Sequence, residues 1–267
     1  MKKRTLRFLL FLLLLGVSYY YFGDDLNLPG YTVFSKTGNN EGVKIANWNL
    51  QIFGTSKASN QKLMQSYAEK IADYDIVFVQ EIRDDTGTAF SQLCDMLSEY
   101  NCISSSRAGR SVSKEQYGII YKNTTRLLET KDYNPDSQDR WERPPIKSTF
   151  EFSDYNISIY NIHIKPEDVQ RELDFLDDIV TSEGYRAVVG DLNADCSYYN
   201  ADSKEEFKEF NWKIKDEEDT TVSKTDCAYD RIILNNNANK KFIRYGIDKQ
   251  VTNEQSDHYL VWFEIEK

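Results

Sequence analysis

Two histidines are the whole complement of imidazole in this 267-residue chain, and each belongs to a short polar motif beside an apolar run. His163 closes Ile157-Ser158-Ile159-Tyr160-Asn161-Ile162-His163, and His258 lies in Ser256-Asp257-His258-Tyr259 just ahead of Leu260-Val261-Trp262-Phe263. Imidazole has the unperturbed pKa nearest neutrality, which suits it to proton transfer at physiological pH. Two of them near carboxylates suggest one general acid and one general base. An arbitrary pair is more often ordinary surface or core histidine, so the motifs around them decide.

The richest of these is Gly190-Asp191-Leu192-Asn193-Ala194-Asp195-Cys196-Ser197-Tyr198-Tyr199. A carboxylate and an amide two residues apart at a strand end share a face, so Asp191 and Asn193 can address one ligand. Alone, such a segment reads equally well as a turn. Similar polar groups end other apolar runs: Asn47-Trp48-Asn49, Gln80-Glu81, Asn161-Ile162-His163 and Ser256-Asp257-His258. Strand ends meeting at one edge would build a single acidic pocket, a site rather than a core.

The elements that must position these groups follow from patterning. Short apolar runs at 43–46, 75–79, 117–121, 157–162, 187–189, 231–234 and 259–265 predict strands. Helical spacing predicts helices over 61–72, 88–97 and 166–180, the last with Pro166 at a first-turn position and a stripe of Val169, Leu173, Leu176 and Ile179. Strands outnumbering helices in this order point to an α/β protein with two sheets packed face to face and helices outside.

The formal charge is −10, or −14 once Lys2, Lys3, Arg4 and Arg7 are set aside. Such a body repels phosphate polymers at long range and excludes a basic nucleic-acid-coating module. An acidic site remains compatible with phosphate chemistry if bound cations neutralise it. The basic residues before the Leu/Phe-rich run at 8–17 predict a signal peptide or N-terminal membrane anchor over 1–22, followed by a linker over 23–42 and one domain over 43–267. If uncleaved, 6–22 would serve as the anchor, and the positive-inside bias puts the domain outside the cytoplasm. Four cysteines in an exported chain read as two disulfides; three pairings are open, with Cys196–Cys227 and Cys94–Cys102 favoured. No Cys-x-x-Cys spacing supports thiolate ligation of a metal.

Taken together, Asn47 to Gly54, Gln80-Glu81-Ile82-Arg83, the Gly190 segment, Cys227-Ala228-Tyr229-Asp230-Arg231-Ile232 and Ser256-Asp257-His258-Tyr259 resemble the endonuclease/exonuclease/phosphatase superfamily, within it the deoxyribonuclease I-like branch. The resemblance spans residues 43–266. It implies a four-layered sandwich, two mixed β-sheets flanked by helices, and a metal-dependent endonuclease acting as a monomer on double-stranded DNA with little sequence preference to leave 5′-phosphate ends. It also implies that Glu81 and Asp257, with Asn49 nearby, hold Mg²⁺ or Mn²⁺, as oxygen-only ligands suit. Asp191 and Asn193 would hold the scissile phosphate or its metal and position water, His258 would be the base oriented by Asp230, and His163, paired with Glu115, would serve the phosphate and leaving group. Arg83 and Arg143 match positions that contact DNA. Asp219, Thr221 and Thr225 match a structural Ca²⁺ loop, with Asp139 a weaker second candidate. Two departures, Ser113 for a groove-stacking tyrosine and Gln51 for an arginine, imply fewer groove contacts. A phospholipid or inositol-phosphate phosphodiesterase, or a non-catalytic binding module on the same fold, are the competing expectations.

Overall fold

The computed structural model describes residues 42–110, 113–200 and 205–267. The expected signal or anchor segment and nearly all of the linker lie outside the described residues. Everything described belongs to one compact unit within Phe34–Lys267.

Twelve strands among the described residues form two six-stranded sheets. In sheet one, β1 (Gly42–Phe53) and β2 (Ile76–Ile82) are parallel, with β3 (Tyr100–Ser104), β4 (Gln116–Lys122), β11 (Phe242–Asp248) and β12 (Leu260–Glu266) completing the order β11-β12-β1-β2-β4-β3. Sheet two holds β5 (Arg126–Asp132), β6 (Ile146–Glu151), β7 (Asn156–His163), β8 (Tyr185–Asp191), β9 (Asn211–Trp212) and β10 (Asp230–Leu234) in the order β5-β6-β7-β8-β10-β9, with β7 and β8 parallel.

A parallel pair needs a crossover, and a helix supplies it each time. After the short α1 (Thr55–Ala58), α2 (Gln61–Ile71) starts where the Asn60 side chain accepts the Leu63 N–H at 3.2 Å. It buries Leu63, Met64, Tyr67, Ala68 and Ile71 against sheet one. α3 (Thr88–Asp95) packs on the same face through Ala89, Phe90 and Leu93. Between β7 and β8, a 3₁₀ turn at Pro166–Asp168 leads into α4 (Val169–Ile179), whose Val169, Leu173 and Leu176 cover the outside of sheet two. α5 (Asn236–Lys241) links β10 to β11. The third core lies between the sheets, where Ile45, Phe78, Ile119 and Phe263 meet Phe150, Ile159, Val189 and Ile232. Three cores between helices, sheet, sheet and helix make the four layers expected from the sequence.

Five strands escape the sequence patterning: β3, β5, β6, β9 and β11. β3, β5, β9 and β11 are the sheet edges, where half-exposed and charged side chains interrupt any apolar run. Both favoured disulfides are present, with Cα separations of 6.2 Å for Cys94–Cys102 and 5.9 Å for Cys196–Cys227. Among the described residues no helix is long and apolar enough to cross a membrane.

Candidate active site

The parallel register of one sheet runs unbroken to Asn49 opposite Gln80 before a bulge shifts it to Phe53 opposite Ile82, and that of the other ends with His163 opposite Asp191. Glu115 precedes β4, Asp230 opens β10, and His258 stands two residues before β12. All of these groups therefore gather at one end of the sandwich. The approach is close: a side chain at Gly190, with φ of 155°, would collide with the Ile162 carbonyl of the neighbouring strand. Backbone strain collects here too, with left-handed φ at Gln51 (46°), Ile52 (53°), Glu81 (60°) and Asn193 (49°).

Each histidine holds a carboxylate on Nδ1. His163 Nδ1 is 2.7 Å from Glu115 Oε1, and His258 Nδ1 is 2.7 Å from Asp230 Oδ2. Their Nε2 atoms point to the same oxygen, Asp191 Oδ2, at 3.3 Å from His163 and 3.5 Å from His258. Burial alone would lower both imidazole pKa values. For His163, with Arg143 also opposing, Glu115 and Asp191 still raise it; for His258, Asp230 and Asp191 lift it to about 10. Asp230, fully enclosed, is pushed up to about 6 by burial against the opposing pull of His258. Each pair thus holds a proton tightly.

The metal candidates sit beside these dyads. Glu81 accepts the Ile52 N–H at 2.9 Å and the Asn49 amide at 3.2 Å. Burial would raise it, but His163, those two donors and Arg83 bring it down to about 2. Asn49 also donates to Asp191 at 2.9 Å, while its oxygen accepts the Gln51 N–H at 2.9 Å. It therefore braces two carboxylates with its NH₂ rather than presenting a free oxygen. Asp257 Oδ1 is buried and accepts no hydrogen bond. Such an orphaned carboxylate oxygen fits a hard cation, and with Glu81 it would leave the other coordination positions to water and substrate, as Mg²⁺ prefers. Among the described residues no three His, Cys, Asp or Glu side chains are grouped so as to hold a metal ion by themselves. Lys57, unmarked by the sequence reading, donates to the Leu50 and Gln255 carbonyls at 2.8 Å each. Burial draws it down to about 8 against the pull of Asp257 and Glu81.

The arginines are tied in rather than free. Arg143 Nε is 2.9 Å from the His163 carbonyl and 3.2 Å from Glu115, and one of its terminal nitrogens is buried without a partner. Arg83 lies 3.5 Å from Glu81 and 3.7 Å from Glu115. Asn193 donates to the Ile164 carbonyl at 3.0 Å, which fixes the turn after β8. Away from the centre, Thr221 bonds Asp219 at 2.8 Å and lies 3.3 Å from the Thr225 hydroxyl, so that loop does cluster its oxygens. Asp139 is instead occupied by Arg110 at 2.9 Å.

Two supporting residues went unread in the sequence. The Tyr117 hydroxyl accepts the His163 N–H at 3.1 Å and donates to the Arg143 carbonyl at 3.0 Å. Ser256 Oγ donates to the Asn49 carbonyl at 2.6 Å and accepts the His258 N–H at 3.0 Å. Tyr117 stands two residues after Glu115 and Ser256 two before His258, so proximity in sequence was the available signal. Beneath them a buried amide layer joins the sheets: Asn47 accepts from Gln80 at 2.6 Å and Asn161 at 3.2 Å and donates to Asp230 at 3.3 Å.

Residues 46–258 match the Endonuclease/Exonuclease/phosphatase family. Deoxyribonuclease-1 of Oryctolagus cuniculus is 31% identical over 255 residues, covering 82% of this chain and 91% of that protein. Among solved structures, an endonuclease/exonuclease/phosphatase family protein from Bacteroides thetaiotaomicron aligns with a TM-score of 0.62 at 17% identity, over 85% of this chain and 98% of its own. A mannosyl-6-phosphatase from the same organism gives a TM-score of 0.62 at 17% identity, over 84% and 100%. Likeness at that identity is a likeness of fold.

Proposed function

Because this chain belongs to the endonuclease/exonuclease/phosphatase family, we propose that it is a divalent-metal-dependent endonuclease that hydrolyses double-stranded DNA with little sequence preference. The observation that carries this reading is the convergence of two carboxylate-held histidines on one point, His163 and His258 both aiming Nε2 at Asp191 Oδ2. The likeness to deoxyribonucleases supports DNA as the substrate.

In this mechanism His258, oriented by Asp230, takes a proton from water through Nε2 in its neutral form, which positive charge held at the neighbouring Asp257 and Glu81 would favour. The hydroxide oxygen bonds to phosphorus as the bond from phosphorus to the 3′-oxygen breaks. His163, held by Glu115, gives its proton to that leaving oxygen, so the products are a 3′-hydroxyl and a 5′-phosphate. Asp191 and Asn193 position the water and the phosphate, and Arg143 and Arg83 offer guanidinium to its anionic oxygens. Glu81 and Asp257, braced by Asn49, would hold the cation, Mg²⁺ or Mn²⁺, which supplies positive charge to the phosphate during the reaction. The Asp219–Thr225 loop remains a proposed Ca²⁺ site. Two disulfides support action in an oxidising compartment outside the cytoplasm.

A plasmid-nicking assay with a panel of divalent cations tests the proposal. We expect cleavage to require the cation and to fall at least about hundredfold in His163→Ala and in His258→Ala. Unchanged nicking in both variants would sink it. Parallel assays on RNA and sphingomyelin separate the DNA reading from the lipid phosphodiesterase one.

A further inference from the structure

A fully buried carboxylate lies outside every role assigned so far. Glu172, in the first turn of α4, is 0% exposed. One of its oxygens accepts the Glu142 N–H at 2.6 Å and the other the Lys165 N–H at 3.1 Å. Its main-chain carbonyl also accepts the indole N–H of buried Trp141 at 2.9 Å. The two amides belong to different segments: Glu142 adjoins Arg143, and Lys165 follows His163 by two residues. Those segments then meet at the site, where Arg143 Nε donates to the His163 carbonyl at 2.9 Å.

A buried carboxylate costs free energy unless both oxygens are well used. Here each oxygen is spent on a backbone amide next to a site residue. We propose that Glu172 is a positioning residue that clamps the Arg143 loop to the His163 strand end, setting where the guanidinium and the imidazole stand relative to one another. The inference rests on the nuclease reading for its catalytic consequence, while the clamp itself is a statement about geometry.

Glu172→Gln keeps the shape but offers one acceptor oxygen and turns an NH₂ toward the second amide, so it can satisfy only one segment. Lys165→Pro is an independent variant, since Lys165 already has φ of −70° and proline removes the N–H that Glu172 accepts together with the lysine ammonium. Lys165→Ala reproduces the loss of the ammonium with the N–H kept. Leu176→Val, a small change at a buried position of the same helix, controls for simple loss of stability. With only two histidines, the imidazole Cε1–H resonances are assigned by one His163→Gln spectrum.

In Glu172→Gln and Lys165→Pro we expect the His163 resonance to move while that of His258 stays, and kcat on plasmid DNA to drop about tenfold with a rise in KM as Arg143 shifts. Leu176→Val should move neither. If both variants, folded, keep the wild-type His163 resonance and kcat, the clamp is overturned. Should Glu172→Gln fail to fold, Lys165→Pro decides alone. The resonance needs neither substrate nor metal, so a wild-type protein that cuts no DNA would refute the nuclease reading and leave the clamp to the spectrum.

Discussion

Asp230 and Glu115 both accept from an imidazole Nδ1 at 2.7 Å, yet their surroundings give them different work. Beyond His258, the Asp230 carboxylate accepts from the neutral Asn47 amide, and its main-chain N–H donates to the Thr220 hydroxyl. Glu115 also holds Arg143 at 3.2 Å and lies 3.7 Å from Arg83. Asp230→Asn should therefore lower kcat by about 10²-fold or more with little change in KM, because only the base loses its orientation. Glu115→Gln should lower kcat and raise KM together, since it also releases two arginines proposed to meet the phosphate. Steady-state kinetics on a defined duplex read the difference, and a wild-type KM in Glu115→Gln would contradict it. The histidines and Asp191 stood out in the sequence as polar residues ending apolar runs, whereas the pairing of the histidines with Glu115 and Asp230 came only from the family resemblance. The shared oxygen of Asp191 was not legible, since spacing along a chain does not say which two strand ends face each other. Tyr117 escaped for a related reason: a tyrosine inside Gln116-Tyr117-Gly118-Ile119-Ile120 is indistinguishable from core until its hydroxyl is seen between Arg143 and His163.

At the level of elements, α3 depends on a single carboxylate ahead of it. Asp84 accepts the Ala89 N–H at 2.8 Å, the Thr86 N–H at 3.1 Å, and the hydroxyls of Thr86 and Thr88 at 2.8 and 2.9 Å. Burial would raise its pKa, but these donors outweigh that and hold it at about 2, below the ordinary 3.8. A depressed carboxylate stabilises the fold above its unfolded value, and that contribution drains away as pH falls through the folded one. Wild type should exceed Asp84→Asn in stability above pH 4 by about 1 kcal/mol, the scale of a lost helix cap. The gap should close between pH 4 and pH 2, as read from urea midpoints, and a pH-independent gap would count against the assignment. Helices with a clean apolar stripe were readable, α2 to within a residue and α4 to within three, its expected first turn being the 3₁₀ turn at Pro166–Asp168. The edge strands were not: β5 reads Arg-Leu-Leu-Glu-Thr-Lys-Asp and is half exposed throughout, so its pairing with β6 rather than its composition makes it a strand.

For the whole molecule, each histidine takes its carboxylate from the opposite sheet. Glu115 leads into β4 of sheet one and reaches His163 at the end of β7 in sheet two, while Asp230 of sheet two reaches His258 of sheet one. The centre therefore exists only while the sheets stay stacked. Phe150 of sheet two meets Phe78 and Tyr121 of sheet one with ring centres 6.4 and 5.7 Å apart. Phe150→Ala should cost about 3–5 kcal/mol and bring heat inactivation and the loss of circular dichroism down together. Inactivation well below the unfolding midpoint would show that the site opens while the stack persists. The strand plan says something more. The run β12-β1-β2-β4 and the run β6-β7-β8-β10 have the same sequence of antiparallel, parallel and antiparallel pairings. Comparable places then carry Asn49 before the bulge of β1 and His163 at the end of β7, Glu81 one residue past the partner of Asn49 on β2 and Asp191 opposite His163 on β8, Glu115 just ahead of β4 and Asp230 at the start of β10, and His258 and Arg143 ahead of β12 and β6. One chain thus reproduces the logic of a two-fold dimer whose halves exchange their acids across the interface. The proposed division of labour between base and acid would then rest on which side chain fills each of these places.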